Sequence, residues 1–192
     1  MKVFELKGEI RENVGKKSTK ALRVDGKVPC VLYGGGENVH FSVVERELKD
    51  LLYTPHVYLV KLHLGEKSYD AIMQDIQFHP VSDKPLHIDF YQTFEDKPLV
   101  LEVPVRTEGF AEGVQAGGKL NITMRKLKVK SFMKDMPDEL LFNVEKLGVG
   151  KSIKVKDACF ENIEILNAKN VVIVQVKLTR AARAAAQQQQ EK

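Results

Sequence analysis

The chain has 192 residues, 43% of them hydrophobic and 29% charged, and a formal net charge of +4. That is enough apolar material for one or two folded domains under an ordinary soluble surface, and it excludes a chain disordered throughout. The start carries no basic and apolar leader, and runs such as residues 171–174 fall far short of the ~20 apolar residues of a membrane span, so no membrane partner is expected. Two lone cysteines, Cys30 and Cys159, suit reduced thiols of a cytoplasmic protein, and without secretion the glycosylation pattern Asn121-Ile122-Thr123 is idle.

In chain order, residues 3–10 alternate as a strand. Residues 13–27 break that pattern with Gly15, a polar stretch and Ala21-Leu22-Arg23, which reads as a basic loop leading into one or two short helical turns. Residues 28–33 are β-prone, with Pro29 suited to an edge or a strand start, and Gly34-Gly35-Gly36 ends the run. A strand is expected over 40–44. Residues 44–53 then switch to helical spacing, with Val44, Leu48, Leu51 and Leu52 on one face. Residues 56–64 and 67–78 flank a Gly65 turn as a hairpin, and 86–94 supply the last strand of the unit.

The polar break Glu95-Asp96-Lys97-Pro98 marks a domain boundary, giving domains of residues 1–97 and 98–179 and an Ala/Gln-rich tail, 180–192, that is helical or disordered. Beyond the break, strands are expected over 99–105, 140–144, 152–155, 163–166 and 171–178, with a glycine-rich excursion over 109–118. Residues 120–132 alternate, Leu120, Ile122 and Met124 giving way to Leu127 and Val129. Short strands with frequent turns suggest an all-β sandwich or barrel.

The charge is unevenly placed. Residues 7–27 hold Lys7, Arg11, Lys16, Lys17, Lys20, Arg23 and Lys27 against Glu9, Glu12 and Asp25, and residues 124–134 hold Arg125, Lys126, Lys128, Lys130 and Lys134 with no acid. Such clusters suit a polyanion and equally suit a solvated face. On the second run, Lys126, Lys128 and Lys130 alternate with Leu127 and Val129, which fits either RNA contact or protection of an edge strand.

Enzyme signatures fail on inspection. Gly113-Val114-Gln115-Ala116-Gly117-Gly118-Lys119-Leu120 approaches a phosphate-binding loop, yet Leu120 replaces the required Ser or Thr and an alternating strand follows. Cys30, His87 and Asp89 make a nucleophile only on paper, since Cys30 sits in an apolar run. The histidines have no zinc-ligand spacing. No cofactor, no small-molecule substrate and no catalysis are expected.

Duplex RNA asks for cations on phosphates plus a few polar groups of fixed geometry over its shallow minor groove. Arg11, Lys16, Lys20, Arg23 and Lys27 supply cations, and Ser18 and Thr19 supply hydroxyls. Tyr33, Gln74, His79, His87 and Asp89 add donors and acceptors. Asp89 is the informative member. A carboxylate is repelled by phosphate but accepts from a base amino group or a 2′-hydroxyl, unless it merely bonds to His87, two residues away on the same strand face.

These residues also form a familiar pattern. Arg11-x3-Gly15-Lys16 with Thr19-Lys20-Ala21-Leu22-Arg23-x2-Gly26-Lys27-Val28-Pro29-x-Val31-x-Tyr33-Gly34 resembles the opening of the Ctc family, bacterial large-subunit ribosomal proteins of the L-twenty-five type that bind 5S rRNA. Gln74-Asp75-Ile76-Gln77-x-His79-Pro80 and Leu86-His87-Ile88-Asp89-Phe90 resemble a second block of the same domain. Gly113-Val114-x3-Gly117-Gly118-x-Leu120 and Leu147-x-Val149-Gly150-x-Ser152-Ile153-x-Val155-x-Asp157 resemble the second β domain of the long members. The resemblance implies a mainly β protein: a six-stranded antiparallel β-barrel with short helices on a helical region of 5S rRNA, then another all-β domain. It implies RNA contacts at Arg11, Arg23, Tyr33, His87 and Asp89, with Lys16, Thr19, Lys20 and Gln74 contributing. For the second domain, 23S rRNA and neighbouring ribosomal proteins stay open as partners. Ala21, Val24 and Phe78 depart from relatives that carry polar or basic groups there. A general stress protein acting through protein partners, partly off the ribosome, is the alternative.

Overall fold

The computed structural model describes residues 2–54, 56–160 and 162–179; the Ala/Gln-rich tail expected over 180–192 lies outside the described residues. The described residues form two compact units, one up to Leu99 together with Phe132–Lys134, the other made of Val100–Ser131 and the described residues from Asp135 onward.

The first unit is a closed barrel of six strands in the order β1-β3-β2-β6-β5-β4. These are β1 (Lys2–Ile10), β2 (Lys27–Tyr33), β3 (Val39–Val44), β4 (Tyr58–Leu64), β5 (Lys67–Phe78) and β6 (Pro85–Gln92). The barrel itself is as expected, but its pairing is mixed rather than purely antiparallel. β1 runs parallel to β4, and β2 runs parallel to β6. Tight turns such as the one at Gly65 can join only antiparallel neighbours, and a parallel seam needs a long crossover. The two parallel seams therefore join strands distant in sequence, where no turn chemistry announces the pairing.

Alternation along each strand sends one set of side chains inward. Leu6, Leu32, Phe41, Leu62, Ile88 and Phe90 are all at most 1% exposed, and the rings of Phe41 and Phe90 meet at 5.7 Å between centroids. Glycine is required at Gly8, where a Cβ would stand 2.7 Å from Leu64 and from Phe41. A 3-10 turn (Glu45–Leu48) runs into α2 (Lys49–Leu52), so the helical spacing expected over 44–53 is realised as two short pieces. Leu48 and Leu51 join the barrel core and Leu52 packs against it, whereas Val44 ends β3 and is 40% exposed.

The basic stretch forms α1 (Lys16–Val24), longer than the one or two turns its sequence suggests. None of its residues is buried, which is why hydrophobic periodicity gives it so weakly.

In the second unit, β7 (Leu99–Glu108), β8 (Gly118–Ile122), β9 (Lys126–Ser131), β10 (Leu140–Asn143), β11 (Ser152–Lys154), β12 (Glu164–Ile165) and β13 (Val172–Leu178) form sheets ordered β10-β7-β9-β12 and β11-β13-β8. The alternating stretch 120–132 is thus two strands in two sheets. Its apolar positions change from even to odd numbers after Met124, and one continuous strand would have to turn half of them to solvent.

The glycine-rich excursion contains α3 (Glu112–Gln115), a single turn packed against residues 147–149. A Cβ at Gly113 would lie 2.6 Å from the Gly148 carbonyl carbon, and one at Gly118 would lie 2.5 Å from the Gly113 oxygen. These glycines permit close backbone packing. Lys119 and Leu120 then continue in β8, a strand where a phosphate loop needs a helix.

Candidate nucleic-acid interface

Three adjacent strands, β2, β6 and β5, build the polar face. Along β6, Ile88 and Phe90 are buried while His87, Asp89 and Tyr91 are partly exposed on the other side. Along β2, Cys30 and Leu32 face the core, leaving Val31 and Tyr33 outward. Register places Val31 beside Asp89 and Tyr33 beside Tyr91 across the parallel seam. On the other flank Gln77 pairs with His87 and Asp75 with Asp89.

His87 Nδ1 lies 2.7 Å from Asp89 Oδ1, with both side chains about one-third exposed. The two do bond to one another, so mutual pairing is real. It does not exhaust them, because His87 Nε2 and the other Asp89 oxygen keep hydrogen-bonding capacity on side chains that are partly exposed. Tyr33 packs edge-on against Tyr91, ring centroids 5.7 Å apart. Burial pushes the Tyr33 hydroxyl above its ordinary value of 10.0, helped by the charges of Asp89 and Asp75 and by Tyr91. The phenol stays protonated and remains a donor.

Gly34, at φ +103°, sits where a Cβ would press on the Tyr91 ring at 2.8 Å, and Gly35 leaves room for the Gln92 side chain. Two of the three glycines are therefore needed so that the loop mouth can lie flat on β6.

Beside this face stands α1. Ser18, Thr19 and Leu22 turn partly inward, and Lys17, Lys20, Ala21 and Val24 turn out. Lys16, Lys17 and Lys20 are exposed and have no acid partner among the described residues. The other expected contacts are engaged within the protein. Thr19 Oγ1 donates to the Gly15 carbonyl at 2.8 Å, and Arg11 Nη2 reaches the Asn13 carbonyl at 3.3 Å and Thr19 Oγ1 at 3.4 Å. Arg23 donates twice to the Leu86 carbonyl, from Nε at 3.1 Å and Nη2 at 2.8 Å. Arg11 and Arg23 thus strap the two ends of α1 to the barrel, and Arg23 does so one residue from His87. Lys27 is paired with Glu9, and His79 Nδ1 accepts from the amides of Val81 and Ser82 to shape the β5–β6 connection.

Gln74 and Asp75 share one feature that alternation hides. The β5–β6 register shifts between Met73 and Asp75, so β5 carries an extra residue opposite β6. Met73 and Ile76 both pack on the core, leaving Gln74 and Asp75 as neighbouring exposed residues between them. Tyr91 was within reach of sequence reasoning, two residues beyond Asp89 on the same strand. Asp75 was not, because a bulge leaves no turn residue or break in composition to mark it.

The second basic run behaves differently. Lys128 Nζ approaches Glu102 at 3.9 Å, Lys130 Nζ approaches Glu164 at 3.8 Å, and Lys134 Nζ approaches Glu95 at 3.4 Å. β9 lies between β7 and β12, so its lysines are not guarding an edge. The edge-protection reading is corrected by that sheet order.

Nucleophilic chemistry is ruled out by geometry. Cys30 points into the core and His87 points out of it, and burial pushes the Cys30 thiol far above its ordinary value, against thiolate formation. The face holds polar groups on adjacent strands beside a helix whose Lys16, Lys17 and Lys20 meet no acid among the described residues.

Comparison with known proteins gives the family. Residues 6–90 match the family model "Ribosomal L25p family", and residues 98–180 match "Ribosomal protein TL5, C-terminal domain". The chain is 53% identical over 189 residues to the large ribosomal subunit protein bL25 of Azobacteroides pseudotrichonymphae, covering 98% of this chain and 100% of that one. It is 53% identical over 193 residues to bL25 of Phocaeicola vulgatus, covering 97% and 98%. With bL25 of Porphyromonas gingivalis it shares 50% over 192 residues, covering 99% and 100%. The chain belongs to the ribosomal L25p family, in the long form with a second domain, and so to the structural, non-enzymatic proteins of the large ribosomal subunit.

Proposed function

We propose that, as a constituent of the large ribosomal subunit, the chain binds 5S rRNA through an N-terminal domain of residues 1–97. In this reading Lys16, Lys17 and Lys20 neutralise phosphates and Tyr33, Gln74, His87 and Asp89 set register over a shallow minor groove. Arg11, Thr19 and Arg23 hold α1 at the height where both groups reach one duplex. A single observation carries the reading: the Arg23 fork on the Leu86 carbonyl joins the helix of unpaired lysines to the strand that presents His87 and Asp89. Cations give affinity without sequence information, and the polar row gives selectivity because a misplaced partner leaves a buried polar group unsatisfied.

The barrel supports this use by fixing the reading groups before binding, so little ordering entropy is lost. Residues 98–179 form the second domain in this reading, with 23S rRNA or a neighbouring ribosomal protein as its contact. The balanced charges around β9 favour a contact that does not rest on phosphate neutralisation alone.

The test is a gel-shift titration of the full chain against 5S rRNA and a scrambled RNA of equal length at two salt concentrations. Selective binding that weakens about fortyfold between ~50 and ~200 mM salt, as ~3 phosphate contacts require, is the expected result. Equal binding to both RNAs, or salt-independent capture of a protein partner instead, overturns it.

A further inference from the structure

We infer that Asp75 is a further specificity-determining residue of this face, placed by the β5 bulge to accept a hydrogen bond from a guanine amino group beside the position read by Asp89. The inference rests on the RNA-binding reading above and adds to it a residue and a base.

The placement comes from the strand geometry. A regular strand sends neighbouring residues to opposite faces. Between Met73 and Ile76, both packed on the core, that alternation allows only one outward residue, and the bulge supplies two. Gln74 and Asp75 therefore leave β5 together, an amide beside a carboxylate. Asp75 stands directly opposite Asp89, which stands opposite Val31 on β2, two residues from Tyr33. The charges of Asp75 and Asp89 both raise the Tyr33 hydroxyl, so the three groups face one small region.

The Asp75 carboxylate is also held in place. Its Oδ1 accepts from the Ile76 amide at 2.8 Å, which fixes the side chain against the bulged backbone and leaves the second oxygen with unused lone pairs. Placing a second carboxylate next to Asp89 on a face that must approach polyphosphate is electrostatically unfavourable unless each accepts from a donor of the RNA. In the minor groove the base edges offer mainly acceptors, and the guanine 2-amino group is the donor among them. Gln74, with both a donor and an acceptor, can bond at the same time to the adjacent ring nitrogen or a 2′-hydroxyl. An amide and a carboxylate side by side match the acceptor-and-donor minor-groove edge of guanine, and they match no minor-groove edge of an A·U pair.

The experiment uses the full chain, Asp75→Asn and Asp75→Ala, with 5S rRNA carrying inosine in place of guanosine at one position at a time. Inosine lacks the 2-amino group and keeps the rest of the edge. Wild-type protein is expected to lose about tenfold in affinity at one inosine position. Asp75→Asn is expected to lose about the same on unmodified RNA, to lose nothing further on that inosine RNA, and to keep the wild-type salt slope. Melting temperatures matching wild type show that the barrel is intact. Wild-type affinity for Asp75→Asn and Asp75→Ala, or an equal loss on every inosine RNA, overturns the inference while leaving the RNA-binding reading in place. Failure of the wild-type chain to prefer 5S rRNA over scrambled RNA overturns both.

Discussion

The two basic runs of this protein look alike as strings of residues and differ as surfaces. Residues 16–23 form an exposed helix whose Lys16, Lys17 and Lys20 meet no acid among the described residues. Residues 125–134, with no acid of their own, are brought by sheet pairing beside Glu102 and Glu164, and Lys134 lies beside Glu95. A helix shows its charges to whatever it does not pack on, whereas a strand must lie beside other strands and shares their charges. Density of lysine along a chain therefore says little about field until the cross-strand neighbours are known.

That contrast can be broken in several ways. The largest effect is expected from Lys16→Gln, Lys17→Gln and Lys20→Gln together, which should reduce the salt slope of RNA binding by about three. Lys128→Gln with Lys130→Gln should leave the slope nearly unchanged, and a filter-binding salt titration reads both. Next, Glu102→Gln with Glu164→Gln should unmask Lys128 and Lys130 and add up to ~2 to the slope for scrambled RNA, turning the second run into what its sequence suggests.

A smaller and different effect is expected from Asp89→Ala. Selectivity for 5S over scrambled RNA should fall about tenfold with no change of salt slope, because no phosphate contact is lost. A change confined to the slope would refute a reading role for Asp89.

The two thiols sharpen the comparison again. Alkylation of the native chain at neutral pH should label Cys159, which is exposed, and spare Cys30 until the barrel unfolds. Burial favours the neutral Cys30 thiol, so the folded state holds its proton after the unfolded chain has lost it. Stability is unaffected below the ordinary thiol value of 9.0 and falls as pH rises through and beyond it. Denaturant melts of wild type and Cys30→Ala between pH 8 and 10.5 should show a steeper fall in wild type, the part common to both belonging to groups such as Tyr33. Smallest of all, Lys130→Gln should change stability by less than ~1 kcal/mol, as befits a solvent-exposed pair at 3.8 Å, and urea denaturation checks it.

Much of the barrel was legible because its strands alternate. The hairpin around Gly65, the strand carrying His87 and Asp89, and the burial of Leu48 and Leu51 all follow from period-two or helical spacing that local sequence states directly. α1 is longer than its sequence suggests for the opposite reason, since none of its residues is fully buried and Leu22 is the one large apolar side chain turned partly inward. Val44 fits the helical face by spacing, yet β3 claims it first.

By itself, then, the sequence determined the strands, the two cationic runs and the residue types that could meet RNA, because each of these is a local property of side chains or their spacing. Only the tertiary structure decided which charges remain free, that two of the barrel seams are parallel, that Arg11 and Arg23 hold α1 in place, and that Asp75 joins Asp89 on one face. Those are set by partners far away in the chain and by one extra residue in β5. Pairing across a sheet depends on register between distant segments, and the chemistry of a single stretch does not encode it.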